Sequence, residues 1–199
     1  VPNEGKSTVS VHLWKMLAEA GFPSVLVDLD LRKSVMKDRL GFQSEGEITG
    51  LDYYLSGLSE YQDVVYETNV NNGYIVPVSN LLENPSALLE DPRMGELLDR
   101  LAEDYRYVII DSPPLDSVAD GALIASLCDG VLLVVRSGMT SRKLVRQSLQ
   151  QLERVHCRLL GMVLNRVETK SRVYQKYYGK YGNYYSDYYG GKTAEKGEK

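Results

Sequence analysis

A short motif at the start of the chain has the residue types of a nucleotide phosphate loop. The run Asn3-Glu4-Gly5-Lys6-Ser7-Thr8 ends the pattern GxxxxGK[ST]. In that pattern backbone N–H groups and a helix N-terminus hold phosphates, the lysine reaches the β- and γ-phosphates, and the serine hydroxyl binds Mg²⁺. The segment from Glu4 to Thr8 is therefore predicted to bind a nucleotide through its phosphates, with Ser7 as a metal ligand.

Acidic side chains follow two apolar segments further along the chain. Asp28 and Asp30 come at the end of Val25-Leu26-Val27, and Asp111 follows Tyr107-Val108-Ile109-Ile110. Open α/β sheets bind ligands at the carboxyl ends of their strands, and a hydrophobic strand that ends in aspartate is the pattern of a Walker B Mg²⁺ ligand. Since side chains two apart share one face of a strand, Asp28 and Asp30 are expected on the same side.

The elements that must position these residues alternate between strand and helix patterns. Continuously apolar runs predict strands buried on both faces of a parallel sheet at residues 24–27, 74–78, 107–110, 131–135 and 159–164. Helices are predicted at residues 7–20, at 92–103 after an Asp91 N-cap, and from a Thr140 or Ser141 N-cap to about Val155. This order predicts a doubly wound, mostly parallel α/β sheet of P-loop NTPase type.

Composition excludes several other classes of protein. The 199 residues carry a net charge of −4, with a pI near 5.3, which argues against nucleic acid as a partner. No apolar run approaches the roughly 18 to 20 residues of a membrane span. Two cysteines without CxxC spacing are typical of a reducing compartment. We therefore expect a cytoplasmic globular domain.

The last residues of the chain break the alternating pattern. Residues 174–199 contain no Val, Ile, Leu, Phe or Met and have a net charge of +2, which leaves −6 on residues 1–173. Such a polar, glycine-rich stretch predicts a flexible tail, so we expect a catalytic unit over 1–169 and a disordered tail over 170–199. Eight of the 15 tyrosines lie in this tail: Tyr174, Tyr177, Tyr178, Tyr181, Tyr184, Tyr185, Tyr188 and Tyr189.

Together these motifs identify a family. The phosphate loop, VLVDLDLR, the NPSALLEDPRMGELLDR to VIIDSPP stretch, DGVLLVVRSGMTSR, LLGMVLNRV and the terminal tyrosines resemble the bacterial tyrosine kinases of capsular and extracellular polysaccharide production. The resemblance covers essentially the whole chain. It implies a protein-tyrosine autokinase that uses ATP and Mg²⁺ and modifies the tail tyrosines in trans.

The resemblance also implies roles for individual residues. Lys6, Ser7 and Thr8 match the Walker A residues at the phosphates and Mg²⁺. Asp28 matches the carboxylate that orients or deprotonates the acceptor tyrosine, whereas Asp30 and Asp111 match the metal ligands; neighbouring carboxylates can exchange these roles. Two further matches concern the nucleotide, with Arg32 steadying phosphate charge and Asn165 at a position that contacts adenine in related ATPases.

Partners follow from the same resemblance. It implies a transmembrane activator resembling polysaccharide chain-length regulators, fused or separate, which holds the kinase at the inner face of the plasma membrane. It also implies a homo-oligomeric ring and a cognate protein-tyrosine phosphatase. A strand and a subunit-contacting helix are expected ahead of the phosphate loop, and neither lies within these 199 residues.

Two other functions use the same features. A deviant-Walker switch ATPase of the partition or septum-placing type shares the fold and the phosphate loop but transfers nothing to tyrosine. A binding module would use the glycine–tyrosine tail to stack on single-stranded nucleic acid, which the net charge disfavours. Phosphate on the tail tyrosines after incubation with Mg-ATP distinguishes the kinase from both.

Overall fold

The computed structural model describes residues 3–41, 48–82, 85–115 and 120–168. The tail predicted over 170–199, with all eight of its tyrosines, lies outside these ranges. Within them no helix combines the length and the apolar composition that crossing a bilayer requires.

The strands lie where the apolar runs predict them, with ends that differ by at most two residues. One short strand, Tyr66–Glu67, has no sequence signal because two residues carry no periodicity. In chain order the strands are β1 Ser24–Asp28, β2 Tyr66–Glu67, β3 Gly73–Val76, β4 Tyr107–Asp111, β5 Val131–Arg136 and β6 Leu159–Asn165.

In the described ranges these strands form two hydrogen-bonded sheets, which we call the first and second parts of the sheet. The first part has the order β2-β3-β1-β4, with β1 parallel to both neighbours and β2 antiparallel at the edge. The second part is the parallel pair β5-β6. The mainly parallel α/β class predicted from the sequence is confirmed, and the parallel register brings the carboxyl ends of β1 and β4 side by side.

A groove separates the two parts of the sheet. Its cavity of about 530 Å³ is lined by residues of β4 on one side and of β5 on the other. Residues of the helix that follows the phosphate loop and of the helices before and after β5 also line it, as do Glu4 and Lys6 of the loop. The phosphate loop therefore borders this groove.

The helices show the capping chemistry expected of them. Asp91 accepts a hydrogen bond from the Arg93 N–H at the start of the helix Pro92–Asp104, and Ser141, of the two candidate caps, accepts from the Leu144 N–H at the start of the helix Arg142–Arg154. The helices are α1 Lys6–Glu19, α2 Met36–Leu40, α3 Leu51–Leu55, α4 Tyr61–Val64, α5 Ser86–Leu89, α6 Pro92–Asp104, α7 Asp120–Ser126 and α8 Arg142–Arg154.

Buried side chains cover both faces of the first part of the sheet. Val25 and Val27 of β1 belong to one core cluster, while Leu26 packs with Trp14 of α1 in a second cluster. The Trp14 indole N–H donates to the Ser24 carbonyl at 3.1 Å, so its burial leaves no polar atom unsatisfied. Helices on both faces of β1 are the arrangement predicted from its continuous apolar run.

The same prediction is wrong for β6. Every residue of β1 is buried, whereas β6 alternates, and Leu160, Met162 and Leu164 are exposed. The reason is position: β1 lies between β3 and β4, whereas β6 is an edge strand that exposes these side chains to solvent. An apolar run predicts a strand, and it does not determine how many layers cover it.

Replacing Leu97 with Ala should destabilise the fold by about 2–5 kcal/mol, because the change leaves a cavity in the larger core cluster. The Leu97 side chain is 0% exposed on α6. Urea unfolding measures the effect. The matched control is Leu58→Ala, which removes the same atoms at a side chain 73% exposed and should change the free energy of unfolding by less than about 0.5 kcal/mol.

Candidate functional site

Two buried carboxylates lie next to each other at the carboxyl edge of the sheet. Asp28 ends β1 and Asp111 ends β4, and the two are register partners on neighbouring parallel strands. One residue further on, the Leu29 N–H donates to the Asp111 carbonyl at 2.8 Å. Backbone hydrogen bonds therefore hold the predicted acidic motifs together, although 82 residues separate them in sequence.

The Asp28 carboxylate is enclosed and only partly compensated. It is 1% exposed, and it accepts hydrogen bonds from the Ser34 hydroxyl and, at 3.2 Å, from the Asp30 N–H. Burial raises the pKa of Asp28 to about 7; the Ser34 hydrogen bond opposes this shift, and the negative charge of Asp111 adds to it. A carboxyl group in this environment can exchange a proton near neutral pH.

The Asp111 carboxylate contacts the first turns of α1. It accepts hydrogen bonds from the Ser10 hydroxyl at 3.1 Å and from the Ser7 side chain. Burial raises the pKa of Asp111 above its ordinary value, and these hydrogen bonds and the positive charge of Lys6 offset part of that shift. The predicted Walker A and Walker B residues therefore meet in one site.

The phosphate loop enters α1 through a left-handed glycine. Gly5 caps the helix with φ of 90°, and a side chain on this residue would collide with the Asn165 amide. Asn165, at the end of β6, donates from its amide nitrogen to the Glu4 carbonyl at 2.8 Å. Only glycine fits here, and the hydrogen bond from Asn165 attaches the phosphate loop to the end of β6.

The Glu4 side chain makes a second contact between the phosphate loop and this part of the sheet. It is buried, and its carboxylate accepts a hydrogen bond of 2.6 Å from the Thr140 hydroxyl, just after β5. Arg136 of β5 also donates to the Asn3 carbonyl at 3.4 Å. Glu4 and Asn165 therefore fasten the loop to β5 and β6, which holds its backbone N–H groups in place for an anion.

Two arginines flank the loop that follows β1. Arg39 of α2 donates to the Thr8 hydroxyl at 2.6 Å, and the Arg32 Nε donates to the Asp120 carboxylate at 2.8 Å. The Arg32 contact is an ion pair with a buried partner. Both the DxD segment and the phosphate loop are therefore braced by long-range side-chain contacts.

The oxygen donors present suit Mg²⁺. In the described ranges, no three His, Cys, Asp or Glu side chains form a ready metal cage. Mg²⁺, however, typically takes one or two carboxylates and completes its shell with water and substrate phosphates. The hydroxyl of Ser7 and the carboxylates of Asp30 and Asp111 supply hard oxygen ligands of this kind, and a cation would relieve the unfavourable burial of paired carboxylates.

Several residues of the site had no sequence prediction. Ser10 follows Ser7 by three positions on α1, so helix spacing alone could have indicated it. Ser34 and Asp120 gave no such signal, since their partners lie on other segments. The sequence indicates Thr140 only as a helix cap, whereas in the structure its hydroxyl donates to Glu4.

Replacing Thr140 with Val should weaken nucleotide binding by about tenfold, because the buried Glu4 carboxylate loses a hydrogen-bond donor and the phosphate loop loses one of the contacts that hold it. Fluorescent nucleotide titration measures this effect. Thr140→Ser keeps the hydroxyl and should restore most of the affinity. Equal losses in both variants would contradict a role for this hydrogen bond.

Comparison with known proteins adds to this geometry. The AAA domain family matches residues 4–164. The tyrosine-protein kinase CpsD of Streptococcus agalactiae is 40% identical over 174 residues, which span 87% of this chain and 75% of that protein. The kinase domain of the Escherichia coli tyrosine kinase ETK superposes with a TM-score of 0.81 at 30% identity, covering 86% of this chain and 66% of that chain.

A different class of protein shares the fold. The septum site-determining protein MinD of Pyrococcus horikoshii, complexed with Mg-ADP, superposes with a TM-score of 0.72 at 23% identity, covering 88% of this chain and 73% of that chain. At this level of identity the likeness shows the fold alone.

Proposed function

The chain belongs to the bacterial tyrosine-kinase family, and we propose that it transfers the γ-phosphoryl group of ATP to tyrosines of its own C-terminal tail, one copy acting on another. The observation that carries this proposal is the placement of Asp28 beside Asp111 at the start of α1. This placement puts a carboxyl group that can take a proton next to the residues suited to hold Mg-ATP.

Each residue has a part in this reaction. Lys6 and the backbone N–H groups from Glu4 to Thr8 bind the phosphates, and Ser7, Asp30 and Asp111 would hold Mg²⁺. When bound, Mg²⁺ neutralises charge on the phosphates. Asp28 accepts the hydrogen bond of the incoming tyrosine hydroxyl, whose ordinary pKa is about 10, and so prepares its oxygen for attack.

Two more distant residues complete the proposed nucleotide site. Arg32 contributes positive charge near the DxD segment, and Asn165 contacts the base. Hydrogen bonds to Asp120 and Glu4 support these positions, because they keep both side chains in fixed places at the carboxyl edge of the sheet.

The tail is the proposed acceptor, with the boundary between the catalytic unit and the tail at residues 169 and 170. From residue 170 to Tyr189, 20 residues of flexible chain would reach roughly 22–27 Å, compared with a radius of gyration of about 16 Å for a domain of this size. A neighbouring copy is then within reach. Each phosphotyrosine adds a charge of about −1.5 to −2, so two or three of them reverse the +2 of the tail and favour its release from an acidic body.

The proposed cellular role follows the family. Phosphorylation of the tail would regulate the polymerisation and export of a capsular or extracellular polysaccharide. A transmembrane activator would hold the kinase at the inner face of the plasma membrane, a ring of copies would present tails to neighbouring sites, and a tyrosine phosphatase would reset them.

The groove between β4 and β5 has a proposed occupant. Phosphate-loop motifs consist of a strand, the loop and a helix. Apolar residues of both flanking strands line this groove, and Glu4 and Lys6 of the loop border it. We propose that a parallel strand leading into the phosphate loop fills the groove and joins the two parts of the sheet.

The alternative is a switch ATPase, a class of protein that uses the same fold. The 40% identity to a tyrosine kinase supports the kinase more strongly. Hydrolysis of ATP without any phosphotyrosine would support the switch ATPase.

The decisive experiment mixes two variants with Mg-ATP and the activator segment. One keeps its tail but carries Lys6→Met; the other is active and ends at Val173. Mass spectrometry should find phosphate on the tail of the Lys6→Met partner, and light scattering should report smaller particles as phosphate accumulates. An unmodified tail would refute transfer in trans, and unchanged particle size would refute release by charge.

A further inference from the structure

A buried ion pair outside the nucleotide-binding loop joins three segments of the fold. The Asp120 carboxylate, at the first residue of α7, is 2% exposed. One of its oxygens accepts from the Arg32 Nε at 2.8 Å and the other from the Ser86 hydroxyl at 2.7 Å. Arg32 lies after β1, Ser86 begins α5, and Asp120 lies on the connection that follows β4.

The environment of Asp120 keeps it ionised. Burial by itself raises the pKa of this carboxyl, but the hydrogen bonds from Arg32 and Ser86 and the charge of Arg32 outweigh burial, so the pKa lies below its ordinary value. A buried carboxylate that loses such a partner is strongly unfavourable. The contact therefore persists in the folded protein, and it fixes the segments it joins.

Two of those segments carry the proposed metal ligands. Arg32 follows Asp30 by two residues on the connection after β1. Asp120 follows Asp111 on the connection after β4, and its neighbour Gly121 packs so closely on Pro113 and Leu115 that a methyl group there would lie 3.3–3.4 Å from their backbone atoms. A shift of Asp120 would therefore be transmitted to the segment directly after Asp111.

We propose that Asp120 is a positioning residue for the metal site: through its ion pair with Arg32 it holds the DxD connection against the connection after β4 and so sets the placement of Asp30 relative to Asp111. Mg²⁺ demands near-ideal octahedral geometry, so its binding is sensitive to a small displacement of Asp30, on the loop after β1, relative to Asp111, the last residue of β4. Residues that orient metal ligands without touching the metal commonly change metal affinity by 10- to 100-fold. This inference rests on the proposed function only in its assignment of Asp30 and Asp111 as the metal ligands.

The test measures metal affinity directly. Mn²⁺ is titrated into the protein saturated with a non-hydrolysable ATP analogue, and free Mn²⁺ is followed by electron paramagnetic resonance. Asp120→Ala should raise the Mn²⁺ dissociation constant by at least tenfold, and Ser86→Ala, which removes one donor to Asp120, by two- to threefold. Asp120→Glu should recover part of the loss.

A second buried carboxylate provides the matched control. Asp52 of α3 is 5% exposed and accepts hydrogen bonds from the Ser79 N–H at 2.7 Å and from Asn80. Asp52→Ala should lower the unfolding midpoint as Asp120→Ala does, yet leave the Mn²⁺ dissociation constant within twofold of the unmodified protein. If Asp120→Ala behaves in the same way, its role is structural only and the proposal is wrong.

A double-mutant cycle separates the ion pair from other effects. Asp120 acts through Arg32, and Arg32→Ala also removes the charge proposed to face the phosphates, so adding Asp120→Ala to Arg32→Ala should raise the Mn²⁺ dissociation constant little further. Multiplicative effects would overturn the proposal. Should Asp120→Ala fail to fold, Ser86→Ala with Arg32→Ala decides the question. If these results hold while no tyrosine is phosphorylated, the proposed function fails and the positioning role stands.

Discussion

Replacing Lys6 with Met should lower the rate of phosphoryl transfer to tyrosine by about 10²–10³-fold and leave the fold intact. The ammonium group of Lys6 is the cation that the phosphate loop presents to the β- and γ-phosphates, where charge develops during transfer. Lys6 is partly exposed at the first position of α1, so its loss creates no cavity in the core. Transfer is measured as phosphotyrosine formed per minute at saturating Mg-ATP.

Lys15→Met is the matched control for this experiment. Lys15 lies on the same helix and pairs with Glu19 at 3.7 Å on the exposed surface, so its loss should change neither transfer nor stability appreciably. Circular dichroism and the unfolding midpoint should be similar for all three proteins. Near-normal transfer by the Lys6→Met protein, or its unfolding, would refute the assignment of the phosphate loop.

Replacing Asp28 with Asn should lower transfer by about 10²–10⁴-fold while Mg-nucleotide affinity changes by less than about threefold. The amide has nearly the shape of the carboxyl group and cannot take the proton of the tyrosine. Stability should not fall, because Asp28 is buried beside Asp111 and its ionised form is disfavoured there. Initial rates of tyrosine phosphorylation and nucleotide titration separate the two quantities.

Asp111→Asn is the variant with which the Mg-nucleotide affinity of Asp28→Asn is compared. As a metal ligand, Asp111 should be needed for Mg-nucleotide binding as well as for transfer. If Asp28→Asn loses Mg-nucleotide affinity to the same extent, Asp28 belongs to the metal shell and a neighbouring carboxylate serves as the base. Full transfer by Asp28→Asn would exclude any part for this side chain in proton removal.

Local chemistry explains which parts of the fold could be predicted. The Asp91 and Ser141 caps depend on a side chain and a backbone N–H two or three residues away, so the start of α6 and of α8 could be read from the chain. The apolar runs of β1 and β4 end in aspartate, and parallel strands place their carboxyl ends together. The acidic edge of the sheet followed from these two facts.

The contacts that complete the site could not be predicted in this way. Thr140 donates to Glu4 across 136 positions of sequence, Ser10 to Asp111 across 101, and Arg32 to Asp120 across 88. Each depends on which strands become neighbours and in which register, and no local pattern encodes that choice. The same holds for the open face of β6, whose exposure depends on whether another layer covers it.

The sequence by itself therefore determined the helices and strands and the residue types at their ends. These are a glycine before the helix that begins with Lys6, and carboxylates at the ends of β1 and β4. Periodicity and capping are short-range effects and survive in the sequence alone. Tertiary structure decided that Asp28 pairs with Asp111, that the loop is tied to Asn165, and that Asp120 holds Arg32. Burial and long-range hydrogen bonds, which exist only once the chain has folded, set the protonation and the geometry of this site.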